Sequence, residues 1–324
     1  MSRRGEEGMA LITVLLLVAV MAALTVATLA TMNRAIAMTA NGGAAMQARH
    51  DARGAILVAA ARLTALREAA DGQLTNLGGW QEQPIVVPTD TGSISILPRD
   101  GSHCFNLNSV VGDAGPTGVG GGLSPLAVEQ FVALAGAVGI AERQARAMAL
   151  GLVDWIDADP FPIGGGAEDG RYLGYRTPNG PIAHISELMA VNGTSPQAFE
   201  ALRPYICALP TGATSAMNVN TMTADDVPLI AMLAPGQISL AQARQVLADR
   251  PVDGWPDIAG FWADVAALGI QRPSRALRQV ATDSDLFDLQ IQVTDGDFTV
   301  DETVLLQVGG DEPRILSRIW RADG

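Results

Sequence analysis

Residues Met9 to Met32 carry no charged side chain. These 24 residues, at ~1.5 Å each, make roughly 36 Å of helix, enough to cross a hydrocarbon core of about 30 Å. No second run of this kind follows Asn33-Arg34. One such run near residue 1 is either a membrane anchor or a cleaved secretory signal. The apolar region of a signal is ~7–15 residues long and ends at a small-residue site. Ala35-Ile36-Ala37 has the composition of such a site, but the stretch before it is too long. A retained, single-pass anchor is expected. Arg3 and Arg4 precede it and favour a cytoplasmic N-terminus, with the remainder of the chain exported. Thr13, Thr25, Thr28 and Thr31 interrupt the run. A helix tolerates them because each hydroxyl can bond back to a backbone carbonyl.

The helix is expected to continue beyond the membrane to about residue 70. No proline occurs from Ala35 to Ala70, and Ile56, Ala60, Leu63 and Arg67 keep one helical face. Asn41-Gly42-Gly43 is a weak point, at about 1 kcal/mol per glycine relative to alanine. If the segment stays helical, residues 9–70 form a rod of roughly 90 Å.

Beyond the rod, residues 84–107 read as strands, with Ile85-Val86-Val87 and Ser93–Ile96 separated by a turn at Thr89–Gly92. The far end reads the same way. Leu286–Val293 alternates apolar with polar, Asp295-Gly296 is a hairpin dipeptide, and Phe298–Val308 and Arg314–Trp320 complete a meander. Strand material therefore brackets the middle of the chain. The expected class is α+β, with residues 71–108 and 281–324 sharing one antiparallel sheet and residues 109–280 inserted as a helical domain.

The insertion is punctuated as helices are. Ser124-Pro125 and Ser195-Pro196 are N-cap pairs, Thr223–Asp226 resembles a capping box, and Gly139 and Gly269 are helix stops. Asn106-Leu-Asn-Ser109 and Asn218-Val-Asn-Thr221 each precede helical material that ends in an Ala/Arg-rich helix, Glu142–Leu150 and Gln242–Leu247. They suggest two modules, about 109–210 and 211–280. The second is similar to SAM-like or helix-hairpin-helix modules, which often bind DNA. Charge argues against DNA here. The chain has 21 Arg, no Lys and 34 acids, for a net charge of −13. Asp225, Asp226, Asp249, Asp253 and Asp257 surround the second module, and a phosphate backbone would be repelled by them.

Candidate chemistry is concentrated between residues 151 and 200. Asp154, Asp157 and Asp159 close one helix, and Glu168 and Asp169 follow the Pro/Gly loop 160–166. Crowded carboxylates are costly unless they share a proton or a cation. Hard oxygen ligands on a flexible loop suit Ca²⁺, but no EF-hand spacing is present. By spacing alone a solvated acidic loop and a Ca²⁺ site are equally open, and a paired-carboxylate hydrolase has only the acids in its favour. His50, His103 and His184 have no partner at metal-ligand spacing and are read as surface or capping residues. The two cysteines, Cys104 and Cys207, are expected to pair once exported, tying the insertion to the sheet.

Gly8, preceded by a charged leader and followed by the apolar helix, resembles a class III prepilin signal. The string from Gly8 to Leu15 is similar to the start of the K-type minor pseudopilins of the type II secretion system. So are Cys104–Asn108, Asp154–Asp159, Gly166–Asp169, Ser186–Leu188 and Asn218–Thr221, in that family's order. Pseudopilins mostly carry Glu at the fifth mature position, whereas this chain has Thr13 there, as K-type members lack the acid. The resemblance implies cleavage after Gly8 by a prepilin peptidase and methylation of Met9. It implies a pilin-like fold, with the long helix packed on the sheet, and a place at the pseudopilus tip with I-type and J-type minor pseudopilins, above the inner-membrane secretion platform. It also implies no enzymatic activity, no nucleic-acid partner, a periplasmic head, and Ca²⁺ bound near Asp157, Asp159, Glu168 and Asp169. A membrane-tethered DNA-binding module and a minor pilin of a type IV pilus are the alternatives.

Overall fold

The computed structural model describes residues 3–112, 122–271, 273, 276–295, 298–310 and 312–322. One helix, α1 (Arg3–Ala69), runs without a break through the apolar segment and through Asn41-Gly42-Gly43. Its 67 residues correspond to roughly 100 Å. The threonines bond back as expected: the Thr13 and Thr25 hydroxyls donate to the Met9 and Met21 carbonyls at 2.8 Å, and that of Thr28 donates to Leu24.

From Met9 to Ala40 every residue of α1 is exposed. Burial begins where alanines space one face of the helix. Ala48, Ala52, Ala55, Ile56, Ala59, Ala60 and Leu63 are buried against the sheet. Small side chains let helix and sheet approach closely, and Ile56 and Leu63 share one core with the sheet's apolar side chains. The sheet has five strands in sequential order: β1 (Ile85–Pro88), β2 (Gly92–Asp100), β3 (Leu286–Asp295), β4 (Phe298–Gln307) and β5 (Arg314–Ala322). All pairs are antiparallel. β2 pairs with β3 along its whole length, Ile94 opposite Val293 and Ile96 opposite Ile291, although the insertion separates them in sequence. Ile94, Ile96, Phe287, Leu289, Ile291 and Val293 face α1. The Asp295-Gly296 hairpin dipeptide lies partly outside the described residues, but Asp295 pairs with Phe298, so two residues connect β3 and β4.

The inserted unit has its own apolar core. It holds α2 (Pro125–Ala137), α3 (Glu142–Ile156), α4 (Pro196–Leu202), α5 (Val227–Met232), α6 (Leu240–Ala248) and α7 (Ile258–Ala267). Ser195 and Thr223 cap as expected. Ser124 occupies an N-cap position without a side-chain cap bond, and Pro125 at N1 sets the turn instead. Gly139 and Gly269 follow their helices at φ 91° and 80°.

Three expectations are corrected. Phe105–Asn106 is not part of the main sheet; it forms a two-residue parallel bridge with Ile206–Cys207. Phe105 and Leu107 lie in the core of the insertion, so the unit begins just after Asp100 and not at residue 109. A second parallel bridge joins Met217–Asn218 to Val280–Ala281, so the insert is not purely α-helical and its second module reaches residue 281. The bridges close the modules on themselves, which is why chain that reads as strand belongs to the helical unit.

The Asn-Φ-Asn repeats open both modules in the same way. Asn106 and Asn218 each cap their own turn, accepting from the backbone N–H of Asn108 and Asn220. Asn108 then clamps Ile182, accepting from its N–H at 2.8 Å and donating to its carbonyl at 2.9 Å. Asn220 does the same to Trp255 at 2.7 and 2.9 Å. All four asparagines are buried and fully paired, which makes them structural rather than chemical residues.

Candidate functional site

Two places stand out as functional: the bare half of α1 and the acidic loop after α3. On the first, Met9, Leu17, Leu29 and Met38 are 67, 57, 55 and 75% exposed. Thr13 spends its hydroxyl on the Met9 carbonyl, so the fifth position after Gly8 presents neither a charge nor a free donor. Gly8 lies in α1, directly before the exposed apolar run.

The acidic loop is assembled on the last turn of α3. That helix is amphipathic, and Gly151–Ile156 is buried throughout. Asp154 is therefore carried into the interior with 0% exposure. Its Oδ1 accepts from the Ile163 N–H at 3.0 Å, while Oδ2 has no partner. Gly166 closes the loop over it: a Cβ at Gly166 would lie 2.0 Å from Asp154 Oδ2, so only glycine fits there. Asp157 ends the helix, and Glu168 returns across the loop at 7% exposure. Asp157 Oδ1 and Glu168 Oε1 are also buried without a partner.

These acids raise one another's affinity for protons. Burial, then the charges of Asp159, Asp154 and Glu168, pushes the Asp157 carboxyl up to about 6. Burial is likewise the first cause lifting Asp154, with the charge of Asp159 adding to it, and Glu168, with the charges of Asp154 and Asp169 adding to it. Of the residues singled out from sequence, Asp157 and Glu168 are in the cluster. Asp159 stands exposed at its rim, its Oδ1 accepting from the Phe161 N–H. Asp169 points outward and is spent on the Thr177 N–H and hydroxyl, with Arg176 at 3.8 Å. Asp154, the most buried acid of the cluster, reads as part of it in sequence but is not among the four expected Ca²⁺ ligands. Its three-residue spacing from Asp157 on a helix was the available signal, since it places both on one face. Among the described residues no three His, Cys, Asp or Glu side chains form a ready metal-ligand set. The cluster is a group of mutually repelling acids with three orphaned buried oxygens. Unpaired buried carboxylate oxygens of this kind fit a hard cation better than they fit water or one another. Trp155, Tyr172 and Tyr175 pack against one another beside the cluster, the tryptophan edge-on to both tyrosines, with ring centres 5.1–6.1 Å apart.

Cys104 and Cys207 are joined, with S–S 2.05 Å and Cα–Cα 5.6 Å. The bridge ties the two ends of the first module beside its parallel bridge, rather than tying the insertion to the sheet. That second task falls to Asp100 at the end of β2. It accepts from the Ser102 N–H and hydroxyl, from Ser284 at the entry to β3, and from Thr221 of the second module. His103, expected at the surface, is largely buried there. Its Nε2 is 2.9 Å from the Asn218 carbonyl, and it lies between Asp100 and Asp226. His50 is exposed and His184 caps a 3-10 turn.

The chain matches the family described as type II secretion system (T2SS), protein K, in two parts, residues 103–211 and 217–283. Those bounds coincide with the two modules that the parallel bridges close. The type II secretion system protein K of Klebsiella pneumoniae is 32% identical, over 98% of both chains. That of Pectobacterium carotovorum subsp. carotovorum is 29% identical, over 98% of this chain and 97% of its own. Among solved structures, a chain of the GspK-GspI-GspJ complex from the enterotoxigenic Escherichia coli Type 2 Secretion System superposes with a TM-score of 0.74. It is 25% identical, over 88% of this chain and 99% of that one.

Proposed function

Given that the chain belongs to the type II secretion system protein K family of minor pseudopilins, we propose that it caps or initiates the periplasmic pseudopilus and so supports export of folded proteins. The carrying observation is the bare α1: an uncharged, wholly exposed apolar half whose fifth position after Gly8 is Thr13, below a head enlarged by the insertion. An apolar helix packs laterally with its equals, but Thr13 cannot offer a carboxylate to the amine of a subunit above it. The insertion is too bulky for a repeating position. Both features fit the end of a filament and disfavour its middle.

In this reading a prepilin peptidase cuts after Gly8 and Met9 is methylated. The leader that is lost holds Arg3, Arg4, Glu6 and Glu7 and is neutral, so the net charge of −13 stays with the mature chain. The mature helix spans the inner membrane at the secretion platform, and the head lies in the periplasm. I-type and J-type minor pseudopilins are the partners. Ca²⁺ is held by Asp154, Asp157 and Glu168 through their unpartnered oxygens, with Asp159 at the rim. The ion neutralises the cluster and pins the loop to α3; it catalyses nothing.

The test is a deletion strain complemented with a chain that carries Thr13→Glu and lacks the whole insertion, residues 102–283, with β2 and β3 joined by a short turn. Pseudopilus initiation and secretion are expected to fail. Unchanged assembly and secretion would refute the capping role. Mass analysis of the mature N-terminus should find N-methylated Met9, and an intact Met1 in a cell with active prepilin peptidase would overturn the processing.

A further inference from the structure

The chain holds three Asn-Gly pairs: Asn41-Gly42, Asn179-Gly180 and Asn192-Gly193. Asparagine before glycine is the pair most open to attack by the backbone on its own side chain, because glycine has no Cβ to shield the nitrogen. The fold treats the three differently. Asn41-Gly42 lies inside α1, where the Gly42 N–H faces a carbonyl of the preceding turn. Asn192-Gly193 is packed on α3. The Asn192 N–H donates to the Tyr172 hydroxyl at 3.1 Å, and the Gly193 carbonyl accepts from the Gln144 amide at 3.1 Å. A Cβ at Gly193 would lie 3.2 Å from the Met148 nitrogen.

Asn179-Gly180 has no such hold. Asn179 is exposed, and neither its side chain nor the Gly180 N–H makes a hydrogen bond among the described residues. Pro178 and Pro181 flank the pair and bring no N–H to it. Asn179 sits at φ 47°, a left-handed conformation that asparagine tolerates better than most side chains. The chain is anchored on either side. The Thr177 N–H donates to Asp169 Oδ1 at 3.0 Å, and the Thr177 hydroxyl lies 3.0 Å from both Glu168 Oε2 and Asp169 Oδ1. The Ile182 N–H donates to Asn108 at 2.8 Å.

We propose that Asn179 is a site of spontaneous deamidation, and that its isoaspartate product slackens the segment between Thr177 and Ile182. The Gly180 amide nitrogen attacks Asn179 Cγ and gives up its proton. The new C–N bond closes a five-membered succinimide, the bond from Cγ to the side-chain nitrogen breaks, and ammonia leaves with that proton. Water from the solvent then adds to one of the two imide carbonyls. Opening at Cγ gives aspartate. Opening at the backbone carbonyl gives isoaspartate, whose main chain runs through Cβ and Cγ and is one atom longer. Nothing is oxidised or reduced. The added backbone atom falls between two anchors, and Thr177, nearer the surface, is the one expected to loosen. The inference does not depend on a cation in the acidic loop.

The experiment ages the full chain in detergent at mildly alkaline pH, beside the same chain unfolded in urea. Conversion is mapped by mass spectrometry with fragmentation. In the folded chain Asn179 is expected to convert at least about tenfold faster than Asn192 or Asn41, and in urea the three should agree within about threefold. Methyl transfer by an isoaspartyl methyltransferase detects the isoaspartate, and Asn179→Gln should remove most of that signal. Amide exchange at Thr177 should be at least about threefold faster in the aged chain. Asn179→Asp adds the charge without the extra backbone atom and should stay within about twofold of the parent. Equal conversion of the three pairs in the folded chain, or faster conversion at Asn192 or Asn41, would overturn the site. Unchanged Thr177 exchange in the isoaspartate form would overturn the slackening.

Discussion

Asp157→Asn is the sharpest probe of the acidic loop. The carboxyl titrates near 6 in the folded chain against an ordinary value of 3.8. The folded state therefore holds this proton more tightly than the unfolded chain does. Stability falls as pH rises from about 4 to about 6; the carboxyl is only partly buried and solvent screens it, so the cost above that is about 1–2 kcal/mol. Removing the charge removes that cost. In EDTA at pH 7 the variant should melt higher than the parent, by about 2–8 °C for a domain of this size. Near pH 4 the two should converge, because the parent carboxyl is then protonated. Millimolar Ca²⁺ should reverse the order: the parent gains stability as the ion takes up the orphaned oxygens, and the variant gains much less. Thermal unfolding of the full chain in detergent, from pH 4 to 8 with EDTA or Ca²⁺, reads all of this. A variant less stable than the parent in EDTA at pH 7 would refute the electrostatic reasoning. An equal Ca²⁺ response in both proteins would remove Asp157 from the cation site.

Further outcomes follow from the same geometry. Gly166→Ala would set a Cβ 2.0 Å from Asp154 Oδ2, so the loop must lift and the Ca²⁺-dependent rise in melting temperature should largely vanish. Replacing Cys104 and Cys207 by serine opens a loop with a sequence separation of 103 residues and should cost up to about 4.7 kcal/mol in denaturant unfolding. Asn108→Ala strands the Ile182 N–H and carbonyl in the interior and should cost about 3 kcal/mol, with faster amide exchange at Ile182. Leu63→Ala should cost about 2–4 kcal/mol and loosen α1 from the sheet, leaving the insertion's own transition unchanged.

Some features were legible because they are local. The exposed apolar helix follows from an uninterrupted uncharged run, and the back-bonded threonines from helix geometry. The five strands follow from alternation and turn residues, and the two-module insertion from a repeated tripeptide whose polar side chains cap the turns they begin. The acidic loop was legible as a cluster, but its membership was not. Asp159 and Asp169 look equivalent to Asp154 in sequence. They differ because α3 turns its buried face towards Asp154, while Asp169 finds Thr177 and Arg176 at the surface. Phe105–Asn106 was misread as sheet because a two-residue bridge has the same composition as a longer strand. Only its pairing with Ile206–Cys207 places it in the helical unit. His103 was misread as a surface residue because the groups that bury it, Asn218, Thr221 and Asp226, are more than 100 residues away in sequence.

Sequence by itself determined which run is long and apolar enough to cross a membrane, where the long helix and the five main strands lie, and that the chain's two strand regions share a sheet. Each of these depends on hydropathy or periodicity over a few turns. Tertiary structure alone decided which acids lose water, which cysteine contacts close a module, and which Asn-Gly pair is left unheld. Those outcomes depend on what packs against a residue from elsewhere in the chain. Asp154 shows the difference most clearly. Its identity is one letter among 34 acids, and its character comes from the helix face that buries it and the glycine that closes over it.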